Sequence, residues 1–175
     1  MVNSKLDNLD WRLWRVVYQT STRFKVCLDQ VLAEQGLTSE QYQVLAATKY
    51  LDAPVRITDI AQWLERSTNS VSMIVDRMVK AGLLKRVRDR GDRRVVNVFV
   101  TSKAEIAFGP ATAAARKTEQ RIISSLPSED KQAFVSLSEK INYQLLQYLN
   151  PEADTEAMLK DDIKRRDTLA KRWLK

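Results

Sequence analysis

The residues with the clearest chemistry lie between Leu84 and Thr101, in the string LKRVRDRGDRRVVNVFVT. Lys85, Arg86, Arg88, Arg90, Arg93 and Arg94 surround one glycine, Gly91, with β-branched residues on its far side. A guanidinium presents a planar fork of N–H donors that matches phosphate oxygens, and it stays charged at physiological pH. The pattern predicts a two-strand hairpin with an arginine-loaded tip, built for reversible contact with phosphate. Between Arg77 and Arg94 there are eight Lys or Arg against two Asp, far denser than the 29 Lys and Arg and 22 Asp and Glu of the whole 175-residue chain.

The segment just before the hairpin supplies the partner chemistry. Ser67 or Thr68 is expected to cap a helix from Asn69 to about Lys80, with Val71, Ile74, Val75, Met78 and Val79 as its apolar stripe. The opposite face carries Asn69, Ser70, Ser72, Met73, Asp76, Arg77 and Lys80. Short Ser and Asn side chains suit entry into a major groove about 12 Å wide, whereas a merely solvated face would usually carry Glu and Lys. The arginine tip would then reach the flanking minor groove. The expected DNA-contacting residues are Ser67, Thr68, Asn69, Ser70, Ser72, Met73, Arg77, Arg88, Arg90, Arg93 and Arg94. Two alternatives stay open: Arg77 pairs within the protein, and Asp92 binds Arg93 or Arg94 to stiffen the hairpin.

Other elements must hold this pair in place. Leu6, Leu9, Leu13, Val16, Thr20, Phe24, Cys27 and Val31 recur at steps of three and four, giving a long helix from about Leu6 to Glu34. Trp11, Trp14 and Tyr18 fall partly off that stripe, so the helix has two apolar sides, one for its own core and one for a partner subunit. Gly36 ends it. Thr38 with Gln41 forms a capping box for a second helix to about Leu51. Val55 to Ile57 read as a short extended piece, and Thr58 as the cap of a third helix. Thr101 caps a fifth helix, interrupted or kinked at Gly109-Pro110 and resuming to about Leu126. A sixth helix carries Phe134, Leu137, Ile141, Leu145 and Tyr148 on one face. A last amphipathic segment, Thr155 to Lys175, repeats Leu159, Ile163, Ala170 and Leu174.

Composition narrows the function classes. A net charge of +7 favours polyanions, and 44% hydrophobic residues read as an ordinary globular chain. One cysteine, Cys27, excludes an intrachain disulfide, and its place on an apolar stripe favours packing over redox sensing. With no histidine, a nucleophile–His–acid site is impossible, and neither a glycine-rich phosphate loop nor a paired-cysteine metal site is present. The expectation is a non-enzyme without cofactor or metal, cytoplasmic, with no signal peptide and no membrane span.

From Leu37 to Thr101 the sequence resembles the multiple-antibiotic-resistance regulator (MarR) family. The strings GLTSEQYQVL, ITDIAQWL, SVSMIVDRMVKAGLLKR and GDRRVVNVFVT carry the resemblance, the Asp92-Arg93-Arg94 run being the most specific. The resemblance implies a mainly α fold with a small β hairpin, a winged helix-turn-helix with long N- and C-terminal dimerisation helices. The implied division is 1–36, an N-terminal dimerisation helix; 37–101, the DNA-binding domain; and 102–150, C-terminal dimerisation helices. Residues 151–175, outside the family's usual pattern, read as an extra amphipathic helix, with an added dimer helix, a partner-docking or autoinhibitory helix and a frayed tail as the open alternatives. The implied activity is that of a homodimer binding double-stranded DNA at a pseudopalindromic operator with half-sites about 34 Å apart. Most members repress nearby genes and are released by a small, often aromatic or phenolic, effector. Trp11, Trp14, Tyr18, Phe24 and Tyr42 are candidate effector-pocket residues, with dimer core as the other reading. Two positions depart from the family. Glu65 and Arg66 stand in the turn where it often has Gly and an apolar residue, so either the turn is altered or Arg66 reaches phosphate. Met73 replaces a polar or basic residue and could touch a thymine methyl. A competing reading is a winged-helix chromosome-architecture or protein-interaction module without strong sequence preference.

Overall fold

The computed structural model describes residues 8–51, 54–89, 91 and 95–173. In order these form α1 (Asn8–Ala33), α2 (Ser39–Tyr50), β1 (Val55–Arg56), α3 (Ile57–Trp63), α4 (Thr68–Lys80), β2 (Leu84–Arg88), β3 (Val96–Val100), α5 (Ser102–Ile123), α6 (Ser128–Leu149) and α7 (Thr155–Trp173). The fold is mainly helical with a small antiparallel sheet, the winged helix-turn-helix architecture expected. The strands lie in the order β1-β3-β2. Val55 faces Val98, and Leu84 to Arg88 run against Val100 to Val96. The extended piece at Val55 is therefore a third strand on the hairpin, two residues long, and Ile57 already belongs to α3.

Three helix ends share one backbone motif. After α1, Leu37 N–H donates to Leu32 and Gly36 N–H to Ala33. After α3, Arg66 N–H donates to Ala61 and Glu65 N–H to Gln62. After α4, Leu83 N–H donates to Met78 and Gly82 N–H to Val79. Each is a Schellman motif, whose central residue takes a left-handed conformation. Gly36 and Gly82 hold it at φ +72°, and Glu65 at φ 51°. The turn between α3 and α4 thus keeps its geometry although a glutamate occupies the position that favours glycine.

Two expectations need correction. Thr58 lies inside α3 and does not cap it. The helix begins at Ile57, two residues earlier than a Thr58 cap implies, with Arg56 at the cap position and Asp59 Oδ2 accepting from Arg56 N–H at 2.8 Å. Of the interruption or kink expected at Gly109-Pro110, the interruption is overturned: the fifth helix runs unbroken from Ser102 to Ile123, where it ends short of Leu126. Its buried residues, Ala104, Phe108, Ala111 and Ala115, recur at steps of four and three. Pro110 falls on the exposed side, so the carbonyl of Ile106 that loses its intrahelical donor faces solvent. Thr101 caps the helix as expected, accepting from Ala104 N–H at 3.3 Å.

The chain divides into two compact units, 1–119 and 120–175. In the first, Leu32, Leu45, Ile60, Met78, Leu84, Val44, Val71, Val75 and Val98 form the fully buried core. Most of α1 stays outside it: Leu9, Leu13, Val16 and Phe24 are exposed, and Leu32 alone is buried among the described residues of that helix. Cys27 is half-buried. In the second unit α7 packs against α6, with Met158, Leu159, Ile163, Ile141 and Leu146 half-buried and Arg166 ion-paired to Glu139. Phe134, Leu137, Leu145 and Tyr148 of the expected α6 stripe are exposed.

Candidate nucleic-acid interface

α4 is amphipathic in the way its spacing predicts. Val71, Ile74, Val75 and Met78 are buried, while Asn69, Ser70, Met73 and Arg77 are exposed and Ser72 half-buried. Of the two candidate caps, Ser67 does the work: its hydroxyl accepts from Ser70 N–H at 3.2 Å, and Thr68 is the first helical residue. The helix therefore presents free N–H groups and short polar side chains at its leading end, the arrangement that attracts an anion.

An ion pair joins the hairpin to α4, and two hydrogen bonds tie the start of α5 to the turn that follows α4. Arg86 of β2 is ion-paired with Asp76 of α4. Thr101 Oγ1, just after β3, donates to the carbonyl of Gly82 at 2.7 Å. Lys103 Nζ donates to the carbonyl of Ala81 at 2.8 Å. The carbonyls of the cap residue Ala81 and of Gly82 are thus satisfied by Lys103 and Thr101, and a cation such as Lys103 is favoured at a helix C-terminus. At the near end of the tip, Asp89 N–H donates to Val95 and Gly91 N–H to Asp89 Oδ1, so a side chain shapes the turn. Lys85 and Arg88 are exposed, with Lys85 Nζ 5.8 Å from the Phe99 ring centroid. Arg90, Arg93 and Arg94, with Asp92, lie outside the described residues.

A further carboxylate stands beside this surface. Glu40, in the first turn of α2, accepts from Arg66 Nη1 at 3.0 Å, and its other oxygen lies 3.6 Å from Arg77 Nη2. Arg77 accordingly has a partner within the protein, while its side chain remains 67% exposed. Sequence reasoning missed Glu40 and Lys103 as parts of the site, and it named Asp76 and Arg86 without foreseeing their pairing. The charge of each was visible, but their pairing joins residues far apart in the chain.

The five aromatic candidates divide. Trp11, Trp14, Tyr18 and Phe24 lie exposed along α1, whereas Tyr42 is 5% exposed. Tyr42 stacks on Phe108 with ring centroids 5.2 Å apart and donates to Thr112 Oγ1 at 3.3 Å. Burial pushes its phenol well above the usual range, and the Thr112 hydrogen bond offsets only part of this. A separate open cleft of about 270 Å³ lies between Thr48, Lys49, Val55, Val98, Phe99, Val100 and Glu105, edged by the Lys49–Glu105 ion pair. No helix among the described residues is long and apolar enough to cross a membrane.

Comparison with known proteins agrees with this geometry. Residues 35–95 match the model of the MarR family. The chain is 28% identical over 99 residues to the HTH-type transcriptional repressor MdtR of Bacillus subtilis, an overlap of 57% of this chain and 63% of that protein. It is 27% identical over 106 residues to the HTH-type transcriptional regulator PecS of Dickeya dadantii, covering 59% and 64%. The chain thus spans less than two thirds of the length of either relative. Among solved structures, AbsC, a MarR family transcriptional regulator from Streptomyces coelicolor, superposes with a TM-score of 0.74 at 21% identity, over 82% of this chain and 98% of that one. A mutant MarR from E. coli complexed with operator DNA gives a TM-score of 0.69 at 19% identity, over 79% and 99%. The organohalide-sensing regulator RdhR in its 2,4-dichlorophenol-bound form gives 0.74 at 21% identity, over 85% and 88%. Residues 35–95 thus resemble the winged helix-turn-helix of the MarR family of transcription regulators.

Proposed function

We propose that this protein is a homodimeric regulator that binds duplex DNA at a pseudopalindromic operator, represses nearby genes and is released by a small aromatic effector. One observation carries the DNA reading. The exposed face of α4, with Asn69, Ser70, Ser72, Met73 and Arg77, is tied by the Asp76–Arg86 ion pair to a basic hairpin. α4 enters the major groove, and the hairpin with Arg88, Arg90, Arg93 and Arg94 follows the adjacent phosphates and minor groove. Ser67 and Thr68 bring the start of the helix against a phosphate.

Two copies pair through apolar faces that a single chain leaves open. On α1 these include Trp11, Leu13, Trp14 and Tyr18, and on α6 Phe134, Leu137 and Tyr148. Residues 1–36 and 102–150 then serve dimerisation, and 151–175 add a helix to that region. The effector reading draws support from the ligand-bound neighbour RdhR and from the aromatic residues of α1 and α2. It is secondary to the DNA reading.

A gel shift with DNA from upstream of the protein's own gene, set against a scrambled duplex, tests the proposal. A regulator prefers its operator by about a thousandfold or more. Equal affinity for both duplexes would make the protein an architectural module.

A further inference from the structure

We propose that Glu40 is a specificity-determining residue, which occupies Arg77 in the free protein and so withholds it from phosphate of arbitrary sequence. The inference rests on the DNA-binding reading of α4 and concerns a residue of α2 that the reading itself does not use.

Glu40 is well held. Thr38 caps α2 through Gln41 N–H at 3.2 Å, and Gln41 Oε1 accepts from Thr38 N–H at 2.9 Å, which fixes the first turn. A carboxylate in that turn is favoured by the helix dipole. From there it reaches two arginines of different elements. Arg66 leaves the Schellman turn between α3 and α4, and Arg77 stands on the exposed side of α4. One carboxylate therefore spans α2, the turn and the recognition helix.

The two contacts are unequal. Arg66 lies within hydrogen-bond distance at 3.0 Å and is 34% exposed; Arg77 lies at 3.6 Å and is 67% exposed. Arg66 is the anchor and Arg77 the exchangeable partner. Ion pairs this exposed add little to stability. Beside a polyanion the same carboxylate is unfavourable, so its effect falls on binding. In a loose complex with arbitrary DNA, Arg77 stays with Glu40 and one phosphate contact is forgone. In the fitted operator complex α4 is seated in the groove, and Arg77 exchanges Glu40 for DNA. Glu40 thus weakens the sequence-independent complex more than the specific one.

Counterion release makes the difference measurable, because each phosphate contact contributes about 0.9 to the slope of log affinity against log salt. The experiment measures binding of the full chain to a selected operator and to a scrambled duplex by fluorescence anisotropy, from 50 to 200 mM salt. It compares wild type, Glu40→Gln and Glu40→Gln with Arg77→Gln, with thermal unfolding of each. Glu40→Gln should tighten scrambled binding roughly three- to tenfold at the lowest salt and steepen that slope by about 0.9, with the operator slope unchanged. Adding Arg77→Gln should remove the steepening. An unchanged scrambled affinity and slope overturns the proposal. So does equal weakening on both duplexes together with lost thermal stability, the mark of a purely structural residue. Wild-type protein that binds no duplex would remove the DNA reading and this inference with it, whereas a binding wild type with an unresponsive Glu40→Gln removes this inference alone.

Discussion

Arg86 on β2 and Asp76 on α4 form an ion pair between the wing and the recognition helix, with side chains 30% and 49% exposed. A contact so open to solvent contributes at most about 1 kcal/mol to folding. On the proposed DNA-binding reading its value is positional, since it fixes the spacing of two elements that would meet adjacent grooves together.

Asp76→Asn should therefore separate stability from recognition. Urea unfolding should change by less than about 1 kcal/mol. The preference for operator over scrambled duplex should fall roughly tenfold, as loss of one well-placed contact implies. Unchanged preference in anisotropy titrations would mean that this ion pair does not position the hairpin for recognition.

Glu65 invites a stabilising change. It holds φ 51° at the end of α3, where α1 and α4 use Gly36 and Gly82. Glu65→Gly should raise the unfolding free energy by about 1 kcal/mol, because glycine takes this conformation without steric cost. Gly82→Ala should lower it by a similar amount for the same reason; an added Cβ would meet only Lys103 Cδ, at an unstrained 3.9 Å. A loss of urea stability in Glu65→Gly would contradict this account of the turn.

Tyr42 gives a pH signature. Its folded phenol ionises well above the ordinary value because it is buried, while the unfolded phenol ionises near pH 10. The stability conferred by the neutral phenol is complete below that pH and is lost as pH rises past it. Tyr42→Phe should cost about 1 kcal/mol at neutral pH, from the lost bond to Thr112, and should flatten the decline above about pH 10. Urea unfolding at pH 8 and pH 11 reads both effects. Parallel declines in the two proteins would contradict the assignment.

Trp14 is 69% exposed on α1, among other uncovered apolar residues. If that face joins two copies, Trp14→Glu should shift the protein from dimer to monomer in sedimentation velocity, with helical content retained. A wild type that sediments as a monomer at micromolar concentration would contradict the pairing.

Legibility in the sequence followed the range of the interactions. The capping box of α2, the apolar stripe of α4 and the Thr101 cap depend on residues at most four apart, and each was readable. The start of α3 was missed because Thr58 is a plausible cap in isolation, while the side chain that binds the cap N–H is Asp59. Pro110 looked like a break because helix propensity ignores which side faces water. The pairings Arg86–Asp76, Glu40–Arg66 and Glu40–Arg77 were hidden, since ten or more residues separate the partners and only the folded chain brings them together.

The central claim is that α4 and the basic hairpin read duplex DNA by sequence. Selection of bound fragments from a random duplex pool by the purified protein tests it most directly. The account predicts an enriched pseudopalindrome with half-sites about one helical turn apart, bound about a thousandfold more tightly than the starting pool. Recovery of no enriched sequence, with duplex affinity at low salt equal for every fragment or absent, would contradict it.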